Sequence, residues 1–106
     1  MRVVLCNTPP EDARPIARAL VERGLAACVN VIPAVTSVYG WKGDLVEDTE
    51  ATLLIKAPAS GLDALRAALV ELHPYEVPEV VVLGVEVEAS HGPYVDWVRA
   101  VKPIAR

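Results

Sequence analysis

The chain has no phenylalanine, and its 106 residues include only two cysteines, two tryptophans and three tyrosines. Its interior must therefore be built from branched aliphatics and alanine. The cysteines, Cys6 and Cys28, sit singly inside apolar, strand-like runs and never at CxxC spacing. A thioredoxin-like redox motif and a zinc knuckle are thereby excluded, and reduced thiols are the ordinary expectation. Positive charge is also scarce: ten Lys and Arg stand against fourteen Asp and Glu, giving a formal net charge of -4 and a pI near 5.1. Phosphate-backbone binding draws its affinity from clustered Lys and Arg, so nucleic acid is not an expected partner. The apolar opening Val3 to Cys6 runs straight into Asn7, Thr8, Pro9 and Pro10, far short of a signal h-region or a membrane span. A cytoplasmic protein without a membrane partner is expected. No nucleophile lies at usable spacing from a base, and there is no glycine-rich phosphate loop or zinc-hydrolase motif, so the chain is not expected to be an enzyme.

What is present is a hydrophobic content of 53%, rich in Val, Ala and Leu, which is incompatible with disorder. The length suits one domain over residues 1–106, small enough for oligomerisation to help it considerably. Residues 2–7 read as a strand buried on both faces. Ala13, Ile16, Ala17, Leu20 and Val21 recur at helical spacing, with Gly24 as the C-terminal cap. Pro15 sets this helix to begin near Asp12, or to kink there. The Val- and Ile-rich run 26–39 is a long, bent strand whose middle Pro33 demotes to a bulge or an edge position. Residues 40–44 supply turn chemistry, and Leu45 to Ala57 return as the second arm of a hairpin. Ser60 is the expected cap of a second helix that turns Leu62, Leu65, Leu69 and Leu72 inward and closes at His73, because the residue before Pro74 is pushed out of the α region. Val80 to Val87 read as the last main strand. Gly92 and Pro93 open a short helix with Tyr94, Trp97, Val98 and Val101 on one face.

The order β-α-β-β-α-β plus a short C-terminal helix defines an α+β, ferredoxin-like split βαβ fold, with an antiparallel sheet and its helices on one face. The other face needs cover. Long apolar hairpin edges invite pairing with another chain, so a closed cyclic oligomer is expected.

Five segments then become familiar: ALVERGLAACVNVIP (19–33), SVYGWKGDLVEDTE (37–50), LLIK (53–56), LHPYEVPEVVVL (72–83) and YVDW (94–97). Together they resemble the CutA family of divalent-cation-tolerance proteins. The resemblance implies a PII-like homotrimer with clefts between subunits, associated with copper and other divalent cations, though none is obligatory, and able to take a metal ion or small ligand or to meet a further protein partner. It also implies metal ligands at a first-strand cysteine, here Cys6, and at a histidine pair before Pro-Tyr. Only the second of that pair is present, as His73; the first position is Leu72.

From the residues themselves, Cys6 is either a core thiol or a ligand, and His73 either a partly positive cap at a helix C-terminus or a ligand, which would have to be neutral. Cys28 is read as core or cleft. Tyr39 and Trp41 are interface anchors, while Tyr75 and Trp97 pack at an interface or line a cleft. Glu50 shares a strand face with Asp48, Thr52 and Leu54, so it is the carboxylate drawn inward, with Lys56 as a candidate partner or anion contact. Glu79 is a weaker candidate of the same kind. Should no tight metal site survive, the alternative is a structural or signalling scaffold trimer.

Overall fold

The computed structural model describes residues 1–105 and runs β1 (Arg2–Thr8), α1 (Pro10–Glu22), β2 (Cys28–Trp41), β3 (Asp44–Ala57), α2 (Leu62–Leu72), β4 (Val81–Leu83) and α3 (Gly92–Arg99). The strands form one sheet in the order β2-β3-β1-β4, with every neighbouring pair antiparallel. This is the α+β, ferredoxin-like arrangement expected from the element order.

Period-two side-chain alternation separates the two layers. Val4, Cys6 and Thr8 of β1, with Ala51, Leu53, Ile55 and Ala57 of β3, are buried beneath Ala13, Ile16 and Leu20 of α1 and Leu65 and Leu69 of α2. The opposite parity, Val3, Leu5 and Asn7 with Thr52, Leu54 and Lys56, is only half-buried. β1 is therefore not buried on both faces as expected; both long helices lie on one side of it. α3 contributes a satellite cluster in which Val95 and Val98 pack with Met1. Its buried side is thus Val95 and Val98, while Tyr94 and Trp97, on the face expected to carry Val98, remain 38% and 55% exposed.

α1 begins at Pro10, not Asp12, with Pro9 as the preceding residue and Pro15 inside the helix. Pro10 at the first position gives up a donor that has no intrahelical partner in any case. Pro15 is on the solvent side, where water can satisfy the carbonyl its missing N–H leaves unbonded. At the far end, Gly24 N–H donates to the Val21 carbonyl (3.0 Å) and Leu25 N–H to Leu20 (2.9 Å), a Schellman closure with Gly24 at φ +72°. The C-terminal segment then crosses this end, Ile104 N–H donating to the Glu22 carbonyl at 2.9 Å.

The β2–β3 hairpin closes through Lys42 (φ 51°) and Gly43 (φ 85°), a two-residue turn with both central residues left-handed. Its register slips between Ile32 and Val35, where Pro33 placed the bulge. Two expectations fail nearby. Ser60 makes no cap hydrogen bond: Ala59–Gly61 form a short 3-10 turn after Pro58, and the helix starts at Leu62. The last strand is Val81–Leu83 rather than Val80–Val87. Leu83 already pairs with Val3 near the start of β1, so the chain beyond it has almost no strand left to pair with. No helix among the described residues is long and apolar enough to cross a membrane.

The two left-handed glycines separate backbone strain from steric fit. A Cβ on Gly43 meets nothing within 4 Å, whereas on Gly24 it would stand 2.4 Å from Pro103 N. Gly43→Ala should cost about 1 kcal/mol, the penalty of left-handed backbone alone. Gly24→Ala should cost at least about twice that, measured by urea denaturation; equal losses would mean that the C-terminal segment does not pack against the end of α1.

Candidate functional site

β4 pairs with β1 only as far as Leu5, so the Asn7 carbonyl lies beyond the end of that ladder. His73 fills the gap. Preceding Pro74, it leaves α2 with ψ 136° and turns its ring toward β1 instead of back along the helix. Its Nε2 lies 2.7 Å from the Asn7 carbonyl oxygen, and its Nδ1 accepts the Tyr75 N–H at 3.1 Å. A carbonyl only accepts, so Nε2 carries the proton; a nitrogen that receives an N–H carries none. The ring is thus a neutral imidazole of one fixed tautomer, 6% exposed, with both nitrogens engaged. The helix-end carbonyls take no bond from the imidazole; at that end His73 contributes its backbone N–H, to Leu69 at 2.9 Å.

The network continues on both sides. Thr52 Oγ1 donates to Asn7 Oδ1 at 2.7 Å. The Tyr75 ring packs 4.7 Å from the His73 ring, and its hydroxyl donates to Glu50 Oε2 at 2.7 Å. Glu50 is 6% exposed, and its other oxygen has no hydrogen-bond partner among the described residues. Burial, then the bond to Glu50, holds the Tyr75 phenol protonated well above its ordinary range. On the hairpin, Tyr39 donates to Asp48 Oδ2 at 2.8 Å, which likewise raises the Tyr39 phenol.

These groups border a cleft of about 670 Å³ between the hairpin and the segment after Pro74, lined by Asn7, Tyr39, Trp41, Glu50, Tyr75 and Glu79 among others. Glu50, Tyr75, Tyr39 and Trp41 are thereby brought together. Cys6 lies just beneath, fully buried on the helix side of β1, with its thiol 3.9 Å from the same Asn7 carbonyl that His73 binds. Burial first, then the charges of Glu79 and Glu50, push this thiol up to about 12. A soft metal ion would require a thiolate and a bare imidazole nitrogen. As folded, the pair offers a protonated thiol and a ring with both nitrogens bonded. No three His, Cys, Asp or Glu among the described residues converge as a metal-binding group.

Lys56, Cys28 and Trp97 form a second group. Lys56 Nζ donates to Asn30 Oδ1, and Cys28 Sγ lies 4.0 Å from the same oxygen. Tyr94, whose phenol is raised by burial and by Cys28, packs 5.6 Å from Trp97. Glu50 and Lys56 share a face of β3, but six residues at about 3.3 Å each separate them by roughly 20 Å; within one chain they do not pair. Asn7 and Thr52, the polar link between β1 and β3, were not anticipated. The signal was available: Asn7 continues the parity of Val3 and Leu5 into an open-face position where a polar residue replaces an apolar one.

A four-stranded antiparallel sheet carrying its two long helices on one face, with a cleft beside the turn-side half of a long hairpin, defines a protein of PII-like build. The family model described as CutA1 divalent ion tolerance protein matches residues 2–101, and the chain belongs to that family. It is 52% identical over 98 residues to the CutA homolog of Xenopus laevis, covering 91% of this chain but 64% of the frog protein's length. With the divalent-cation tolerance protein CutA of Thermus thermophilus it shares 47% identity over 98 residues, covering 92% of this chain and 93% of the relative. Among solved structures, the PII-like protein CutA from Nostoc sp. PCC 7120 in apo form superposes with a TM-score of 0.90 at 44% identity, covering 93% of this chain and 94% of the other. The family is described by ion tolerance, not by a reaction.

Cys6 gives the site a pH signature. Its folded value lies above the ordinary 9.0, so the folded state holds the proton more tightly than the unfolded one. Stability is then unaffected below pH 9 and falls as pH rises from 9 toward 12. Cys6→Ala should remove the part of the alkaline loss that begins at pH 9, and wild-type Cys6 should react with a disulfide reagent at pH 8 only once denaturant is added. Rapid labelling of native Cys6 would contradict the buried, protonated thiol.

Proposed function

We propose that the chain works as a homotrimeric, PII-like divalent-cation-tolerance protein that binds a cation or small ligand in clefts completed between subunits. The carrying observation is the cleft at Glu50. It joins a nearly buried carboxylate, a second carboxylate at Glu79 and three aromatic side chains, and it lies beside hairpin arms on which Val38 and Leu45 are 61% and 81% exposed. Exposed apolar arms of this kind call for pairing with another copy. The acidic lining favours a positive ligand, consistent with the names of the relatives. The two free cysteines fit a reducing compartment, and we place the protein in the cytoplasm on that chemistry. Catalysis has no part in this reading.

One observation favours a second mode for a soft ion such as Cu(I). Cys6 and His73 meet at a single carbonyl, so a cation replacing their protons would draw on both. It would have to displace the Tyr75 or Asn7 bond of His73 and deprotonate Cys6, which makes this mode weaker at neutral pH. A scaffold trimer without a tight metal site is the alternative to both.

Titration of the wild type with Mn²⁺, and separately with Cu(I) under reductant against a competing chelator, tests these readings in parallel with His73→Ala and Glu50→Gln. In the cleft mode, Mn²⁺ saturates near one ion per chain and weakens about tenfold or more in Glu50→Gln, and by less in His73→Ala, which keeps the carboxylate but loosens the Tyr75 wall. Cu(I) binding lost only in His73→Ala would favour the Cys6–His73 mode. Binding of neither ion, with a trimer still seen by sedimentation, would leave the scaffold.

A further inference from the structure

The cleft contains an internal indication of the ligand it suits. Lys42, in the hairpin turn, holds its ammonium 5.6 Å from the centroid of the Trp41 ring and 3.7 Å from Glu76 Oε2. Trp41 and Glu76 both line the cleft. An ammonium group therefore already stands at the rim, between an aromatic face and a carboxylate. The Lys42 and Glu76 side chains are 70% and 71% exposed, and an exposed pair of this kind is weak enough for an incoming cation to displace.

Deeper in, the same chemistry is repeated without an internal occupant. Tyr39, Trp41 and Tyr75 supply aromatic rings to the lining, while Glu50 and Glu79 supply negative charge. The free oxygen of Glu50 belongs to a side chain that is nine-tenths buried and lines the cleft. Among the described residues, no Lys or Arg lines the cavity, so an anion would meet carboxylates alone. A bare metal ion wants several donors converging at about 2 Å, and no such group of three is present among the described residues. About 670 Å³ is the volume of a small-molecule pocket and far more than an ion fills. Aromatic faces with diffuse rather than convergent negative charge are the environment that holds an organic ammonium group.

We propose that the cleft's ligand is a small organic cation, a substituted ammonium compound. Its charged head sits against Trp41 and the tyrosine rings, is countered by Glu50 and Glu79, and displaces Lys42 as it enters. This rests on the cleft being a ligand site at all, as proposed above.

Choline and 3,3-dimethylbutan-1-ol have nearly the same shape and differ in charge, so calorimetric titration of the full chain with each isolates the cationic contribution. Choline should bind at least about tenfold more tightly than the alcohol. Lys42→Gln, at an exposed position that does not threaten folding, should tighten choline several-fold by removing the internal competitor. Trp41→Leu and Glu50→Gln should each weaken it about tenfold. Equal binding of the two probes, or weaker choline binding in Lys42→Gln, overturns the assignment. Mn²⁺ in the same assay separates the two levels. Glu50-dependent Mn²⁺ binding without choline binding overturns the ammonium ligand alone, whereas failure of both probes overturns the cleft as a ligand site as well.

Discussion

One backbone carbonyl, that of Asn7, ties the site to the fold. It lies past the last β1–β4 pair, so a ladder bond is not available to it, and it is 2.7 Å from His73 Nε2. That contact joins the end of β1, the end of α2 and the segment after Pro74 at a single point. Because the other ring nitrogen receives the Tyr75 N–H, the imidazole also sets the direction of the next turn. It thereby carries the Tyr75 hydroxyl to Glu50. Removing the ring would leave a largely sequestered carbonyl and a backbone donor unpaired, each costing about 1–3 kcal/mol, and would release one wall of the cleft. His73 is in this sense a positioning residue, whatever else it does.

The parts of the fold that were legible in the sequence are those ruled by local chemistry. Gly24 had to be a cap because only a residue without Cβ accepts φ +72° against Pro103; Pro33 had to mark a bulge or an edge because it cannot donate to a ladder, and β2 is an edge strand whose register slips there; His73 had to end α2 because Pro74 follows. The misread positions are those decided by other elements. Ser60 is a good N-cap residue, but Pro58 fixes a 3-10 turn that moves the helix start past it. Val85 and Val87 look like strand residues, yet β1 has no length left to pair with them, and they pack under α3 instead. The site divides in the same way. Glu50 could be found by strand parity, but its partner could not, because Tyr75 reaches it only through the turn imposed by His73 and Pro74.

The absence of phenylalanine shapes the molecule's two faces differently. The core holds Leu20, Leu53, Ile55, Leu65 and Leu69 with alanine and valine, and none of the tyrosines or tryptophans. Aliphatic packing closes the helix side, at about 1.5–3 kcal/mol per fully buried large side chain. The rings are all left at the surface, and they cluster. Tyr39, Trp41 and Tyr75 stand around the cleft, while Tyr94 and Trp97 stack beside Cys28. Amphipathic rings retained at two places on an otherwise open surface supply contact area for something other than the chain's own core.

Glu50 shows what that something must provide. Glu50, at 6% exposure, takes the Tyr75 phenol on one oxygen, and its other oxygen keeps solvent contact, since no buried side-chain oxygen among the described residues lacks a partner. Its nearest cationic candidate along β3, Lys56, is about 20 Å away by strand geometry and bonded to Asn30. Lys42 instead pairs with Glu76 at the rim. Hydrophobic packing does not by itself call for a carboxylate in this position. The retained negative charge makes physical sense where a positive group arrives from outside the chain. The aromatic walls around it then argue that this group has an apolar body as well as a charge.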